Sequence, residues 1–306
     1  MDLRSLRHFV LIAETLSFSR AAQALQRSQP GLSRSIKELE AEFGLELFER
    51  VGRKVSLRPE GEALLGDARR LLADADRLLE QAQLLSRGRT LILRVGGASH
   101  VLGRILPEVL QLYRKRWGNV EVQLRAEGGA DLLAAIERGE LDVGITRTTN
   151  SDLLESGSAF NIDLVAVLNR QHRLAKRTSI TLGDLKGESL LLPPPDFSTR
   201  ILLDAGFRAE NIRPYLTLES QNLHTLVTLA EAGQGVALVP EIVATDGRAV
   251  SIVPLRHAGR PLSSSTSLVW ARRRSLPPHV SAFIAVAGKY VKHGLVPHSP
   301  AVRRKT

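Results

Sequence analysis

The 306-residue chain has no cysteine, which excludes disulfides, thiol nucleophiles and thiolate metal sites. It also lacks any uninterrupted apolar run near the roughly 18 residues that a membrane span requires. Its first ten residues, MDLRSLRHFV, carry charge where a secretory signal would be apolar. A cytoplasmic protein with no membrane partner is therefore expected. Acidic residues are missing from one end: Gly247 to Thr306 holds eleven Lys or Arg and no Asp or Glu, so residues 1–246 carry −1 of the formal +10. Net charge alone thus fails to locate an anionic partner. The basic end, with Arg272 to Arg274 and the closing RRKT, reads as a solvated face and a frayed tail.

Catalytic constellations are missing as well. Ser99 beside His100 in GGASHV falls short of a nucleophile elbow, because Val101 stands where the closing glycine should be and adjacent residues on a turn cannot easily bond each other. GQGVAL has Leu238 in place of the third glycine of a dinucleotide fingerprint and precedes a strand-like stretch. No HExxH or phosphate loop occurs, and the eight histidines are scattered without metal-ligand spacing. Neither an enzyme nor a cofactor is expected.

What is present begins with SQPGLSR, residues 28–34, a proline and a glycine at the front of a helical pattern. Leu32, Ile36, Leu39 and Phe43 follow i, i+4, i+7, i+11 spacing and form one buried stripe. Pro30, Ser33, Arg34 and Lys37 project from the other side. Proline suits the first helical turn, and Ser28 before it suits an N-cap. Gly31 would let the helix start approach another surface closely. SFSRAAQALQ, capped by Ser17 or Ser19, and LRHFVLIAETL supply two more amphipathic helices, with the tight turn QRSQ before the last one. This is a helix-turn-helix, whose second helix would enter the major groove by its N-terminal residues, among them Gln29, Ser33 and Arg34. LFERVGRKVSLRPEG then reads as a two-stranded wing with Arg50, Arg53, Lys54 and Arg58 suited to phosphates. Three packed helices with surface charge and no DNA remain the alternative.

The run SFSRAAQALQRSQPGLSRSIKELEAEFGLELFERVGRKVSLRPEG resembles the DNA-binding domain of LysR-type transcriptional regulators nearly position for position. That resemblance implies DNA contacts at Gln29, Pro30, Ser33 and Arg34 in the recognition helix and at Arg50 and Arg53 in the wing. Ser28, Lys37 and Lys54 complete the expected DNA-facing set. Gly31 departs from the alanine common in the family at that place.

Residues 60–87 place Leu64, Leu71, Leu78 and Leu85 every seven, with Ala68, Ala75 and Ala82 four later and Leu65, Leu72 and Leu79 widening the stripe. Such a seam favours self-association. A dimer would set two recognition helices on a two-fold symmetric promoter site, and the resemblance extends this to a tetramer.

From Thr90 strand-like and helix-like stretches alternate, which predicts a parallel sheet with crossover helices in two halves, and a cleft at the carboxyl ends of the strands. The resemblance implies a periplasmic-binding-protein-like effector domain, with the chain crossing between halves near Asn161 and SLVWA returning. The expected architecture is a winged helix-turn-helix (residues 1–59), a linker and dimerisation helix (60–88), a two-subdomain α/β effector domain (89–295) and a basic tail (296–306). Subdomain I would comprise about 89–161 and 267–295, and subdomain II about 162–266. Ser99, His100, Thr146, Arg147, Phe197 and Ser198 stand at strand ends or strand-to-helix junctions, where backbone N–H groups favour an anion. A carboxylate effector is expected there, so the expected function is a sequence-specific DNA-binding regulator under small-molecule control. An architectural DNA-binding protein without effector, or a DNA-binding domain fused to an α/β enzyme, are the alternatives.

Overall fold

The first helix begins where Asp2 accepts a hydrogen bond from the Ser5 N–H at 2.7 Å, an N-cap that satisfies one of the otherwise unpaired amides. The structure, a computed structural model, describes residues 1–51, 54–86, 91–147, 151–243, 249–272 and 275–292. It divides into two compact units, Met1–Leu91 with Ala134–Leu141, and Ile92–Leu133 with Asp142–Thr306.

In the first unit, α1 (Leu3–Thr15), α2 (Phe18–Ala24) and α3 (Gln29–Phe43) precede the antiparallel strands β1 (Phe48–Val51) and β2 (Lys54–Leu57), followed by the 28-residue α4 (Pro59–Ser86). The strand register pairs Val51 with Lys54. The expected stripe closes the core: Leu32, Ile36 and Leu39 are buried with Leu6, Phe9, Ile12, Ala21 and Leu47, and Phe43 packs beside them. Phe48 lies edge-on to Phe9 and Phe18, with ring centroids 5.6 and 5.7 Å apart. Ser17, not Ser19, caps α2, taking the Arg20 N–H.

The linker helix departs from a plain solvated seam. Its first four turns belong to this core, where Ala68 and Leu72 are buried and Leu64 and Leu65 pack alongside. At Gly61 a Cβ would stand 2.3 Å from the Leu47 carbonyl oxygen, so the helix can start only against the wing's base. Ala68 is therefore spent inside its own chain and is not available to a partner helix, whereas Leu71, Leu78 and Leu79 are exposed.

The second unit is one continuous sheet with helices on its faces. Its elements are β3 (Leu91–Gly97), α5 (Ser99–Arg114), β4 (Val120–Ala126), α6 (Gly129–Glu137, whose residues from Ala134 onward fall in the first unit), β5 (Val143–Arg147), β6 (Leu154–Asn169), β7 (Ile180–Thr181), β8 (Ser189–Leu192), α7 (Ser198–Ala209), β9 (Tyr215–Glu219), α8 (Leu223–Glu231), β10 (Val236–Pro240), β11 (Val250–His257), β12 (Arg260–Pro261), β13 (Ser263–Ala271) and α9 (Pro278–Lys292). The path runs β4-β3-β5-β13-β6-β10-β8-β9, with β11 also on β6. Two half-sheets share one long strand. Residues 154–163 of β6 pair with β13, and residues 164–169 pair with β10 and β11.

Helix-linked neighbours are parallel, as the alternation predicts, but β6 and β13 run antiparallel to their partners. The expectation of a purely parallel sheet is corrected there, because the chain must leave the first half and come back to it. The second half has a core on each face of its sheet, Leu164, Leu190, Leu203, Phe207 and Leu238 on one and Val165, Leu191, Leu226 and Val239 on the other. These strands consequently read as continuous apolar runs.

Candidate DNA interface and effector cleft

The candidate recognition surface is built by the start of α3. Ser28 accepts the Gly31 N–H at 3.3 Å, and Pro30 occupies the first turn, where its missing N–H costs no intrahelical bond. Gly31 turns out to serve this cap: a Cβ there would stand 3.0 Å from the Ser28 Oγ, so a larger residue would push on the capping hydroxyl. With Leu32 and Ile36 facing inward, Ser28, Gln29, Pro30, Arg34 and Lys37 are exposed and Ser33 is half-buried.

Two contacts fix this helix in place. His8 on α1 bonds the Ser35 Oγ at 2.8 Å. Burial, assisted by the nearby Arg27 charge, holds the His8 imidazole below the usual histidine range. Glu40 Oε1 accepts the Leu47 N–H at 2.8 Å and the Phe48 N–H at 3.4 Å, which ties β1 to α3. Arg53, the Arg272–Arg274 run beyond Arg272 and the basic tail lie outside the described residues, as do the side chains of Arg50, Lys54 and Leu85. Arg58 pairs with Glu46.

In the second unit, register brings distant residues to one edge. Gly97 at the end of β3 stands beside Ile145 of β5, which sets Ser99 and His100, opening α5, next to Thr146 and Arg147. A Cβ on Gly97 would meet the Ile145 carbonyl oxygen at 2.9 Å, so this close approach requires glycine. Thr146 pairs with Ser267 and Arg147 with Thr266 on β13, where Ser267 and Thr266 are buried. In the other half β8, β9 and β10 end along a common edge, from which α7 starts at Ser198 and α8 at Leu223 with Asn222 as its N-cap.

One electrostatic link joins the two edges: His224, near the start of α8, acts on His100. His100 is half-buried, and burial first, then the proximity of His224 near the start of α8, push it down to about 4. At neutral pH His100 is thus an uncharged donor and acceptor. The first turns of α5, α7 and α8 carry no acidic residue, so no carboxylate within those turns offsets the positive end of the helix dipole. Ser99, Ser198 and Arg147 are exposed and Thr146 is half-buried. Arg147 makes no ion pair with any described residue. Phe197 instead packs against the Val165, Leu191 and Val239 core, which accounts for it without a ligand.

His224 and Asn222 are additions that the residue pattern allowed: NLHTL follows the strand YLTLES by the same strand-to-helix rule that picked Ser99 and Ser198. A separate open recess of ≈ 460 Å³, lined by Asp152, Glu155, Trp270 and Arg272 among others, contains none of the expected effector residues. Among the described residues there is no group of three or more His, Cys, Asp or Glu side chains able to hold a metal ion, and no helix long and apolar enough to cross a membrane.

Two families match this arrangement: bacterial regulatory helix-turn-helix protein, lysR family, over residues 3–62, and LysR substrate binding domain over residues 86–292. The Hca operon transcriptional activator HcaR of Escherichia coli is 32% identical over 94% of this chain and 97% of its own length. The regulator BenM of Acinetobacter baylyi is 32% identical over 78% of this chain and 80% of its own. A crystal structure of full-length BenM superposes with a TM-score of 0.58 at 27% identity, covering 98% of this chain and 100% of that one. CbnR complexed with its target DNA shares the fold, with a TM-score of 0.56 at 24% identity over 95% of this chain and 100% of that one. A capped helix start on a winged helix-turn-helix and an α/β domain stand where these two models match: the chain is a DNA-binding transcriptional regulator and belongs to the LysR family.

Proposed function

We propose that the N-terminal turns of α3 read base edges in the major groove while a small carboxylate, held in the cleft of the second unit, changes how the assembly holds its promoter. Gln29, Ser33 and Arg34 reach the bases, Ser28, Pro30 and Lys37 flank them, and Arg50, Arg53 and Lys54 of the wing bind phosphates. The exposed Leu71 and Leu78, continued by Leu85, pair α4 with its counterpart in a second copy, giving a dimer on a two-fold symmetric site and a tetramer from two such dimers.

The observation that carries the anionic reading is that α5, which carries the uncharged His100, α7 and α8 all start at strand ends with no acidic residue in their first turns. Backbone N–H groups with Ser99 and Ser198 donate to one carboxylate, Thr146 adds a hydroxyl and Arg147 a bidentate charge. Phe197 shapes the wall by its packing. A ligand acts on DNA only through a difference in affinity between two arrangements of the regulator. The shared strands β6 and β13 are the connection that closure between the halves would bend.

Calorimetric titration of small organic acids, aromatic carboxylates and matched amines into the full chain tests this reading. A carboxylate is expected to bind, with affinity reduced about tenfold in Ser99→Ala or Arg147→Ala, the loss of a charge-assisted hydrogen bond. Binding of the amine series alone, or full affinity in both variants, refutes it.

A further inference from the structure

One hydrogen bond on the α3 surface is not needed to cap either of the helices it joins. Ser19 Oγ donates to Gln29 Oε1 at 3.1 Å across ten residues, joining α2 to the first residue of α3, and both side chains are exposed. The helix starts are already capped, α2 by Ser17 and α3 by Ser28. The turn between them is closed by backbone bonds, Arg27 N–H to Ala22 O at 2.9 Å and Gln26 N–H to Gln23 O at 3.1 Å. What the bond does fix is the plane of the Gln29 amide, with its oxygen turned to α2 and its Nε2 hydrogens left outward.

An unrestrained glutamine offers an acceptor and a donor side by side, the pair that matches adenine N6 and N7. We propose that Ser19 is a specificity-determining positioning residue: it holds Gln29 as a donor, so that Gln29 reads an acceptor edge, guanine O6/N7 or thymine O4, in preference to adenine. Glutamine is among the side chains that lose most rotamer freedom on ordering, so a bond made before DNA arrives also lowers the ordering cost of binding. The inference rests on the reading of α3 as the base-reading helix.

The test enriches a randomised duplex library on the full-length protein and on Gln29→Ala, Ser19→Ala and Ser19→Thr. Alanine is a better helix former than serine, so the exposed substitution keeps α2 folded. Gln29→Ala is expected to flatten base preference at one position per half-site, which marks its base. At that position Ser19→Ala is expected to raise adenine about fivefold over the wild-type preference, the worth of one hydrogen bond. Neighbouring positions stay unchanged, and Ser19→Thr, which keeps the hydroxyl, retains the wild-type preference. An unchanged preference in Ser19→Ala beside a flattened one in Gln29→Ala overturns the proposal and leaves the reading of α3 standing. A shift to a base other than adenine overturns the donor orientation. A uniform loss on all sequences with a smaller salt slope makes Ser19 a phosphate contact and also overturns it. If Gln29→Ala flattens nothing, Gln29 is not a base reader and the proposal falls with that reading.

Discussion

The α3 surface and the cleft edge are both built on helix starts, but they are assembled over very different lengths of chain. Ser28 to Lys37 lie on ten consecutive residues, held by a local cap and by one apolar stripe. The cleft edge draws on residues near 99, 146, 198 and 224, which only strand register places together. The first surface is complete once one small core forms. The second exists only while two half-sheets keep their pairing through β6 and β13. A surface of the first kind suits reading a fixed duplex, and one of the second kind suits a response, because a small change at the shared strands alters every distance across it.

The strongest way to break this contrast is to unfold one unit alone. Both tryptophans, Trp117 and Trp270, belong to the second unit, so their fluorescence reports that unit only. Ile36→Ala removes a side chain that is 2% exposed in the first core and is expected to cost about 2–5 kcal/mol there. Circular dichroism of the full chain should then show an early helical transition while the tryptophan transition stays in place. Simultaneous movement of both would show that the units do not fold separately.

Next in size is the helix that leaves the first core. Leu71→Asp with Leu78→Asp charges two exposed positions and leaves Leu64, Ala68 and Leu72 in their packing. The expected outcome is a smaller oligomer in sedimentation and a loss of about 100-fold or more in affinity for a two-half-site duplex, since the second contact is no longer intramolecular. An unchanged oligomer would remove α4 from the assembly.

The cleft should also carry its own pH dependence. His100 sits at about 4 when folded against an ordinary 6.5, so the unfolded chain binds its proton first. The contribution of His100 to stability of the second unit is therefore complete above pH 6.5, declines as pH falls through the interval to 4, and changes no further below. The total is roughly 2–3 kcal/mol for this half-buried group. Denaturant midpoints from tryptophan fluorescence at several pH values should show this slope in the wild type and lose it in His100→Gln. An equal slope in both assigns the titration elsewhere.

The same contrast in assembly length decided what could be read in the sequence. The stripe Leu32, Ile36, Leu39, the proline in the first turn and the Ser28 cap are local, and the structure repeats each of them. β6 was legible only in part. SGSAFN, residues 156–161, looks like a turn, yet it pairs with β13, and Gly157 is required because a Cβ would stand 2.8 Å from the Trp270 ring, a neighbour 113 positions away. The heptad leucines showed that α4 has an apolar face, but a seven-residue period does not say which part of it the chain covers itself. Ala68 and Leu72 turned inward while Leu71 and Leu78 did not. His224 was missed because His100, on which its charge acts, starts a helix of the other half of the sheet.

The central claim, two separable sites on one chain linked by the effector, is tested most directly by footprinting and affinity measurements on a selected duplex, with and without a binding carboxylate, in Ser99→Ala and Arg34→Ala. Ser99→Ala is predicted to keep wild-type DNA affinity and lose the response to the carboxylate. Arg34→Ala is predicted to keep carboxylate binding and lose about 1–3 kcal/mol on the selected duplex. Ser99→Ala weakening DNA binding without ligand, or responding to the carboxylate as the wild type does, would contradict the account.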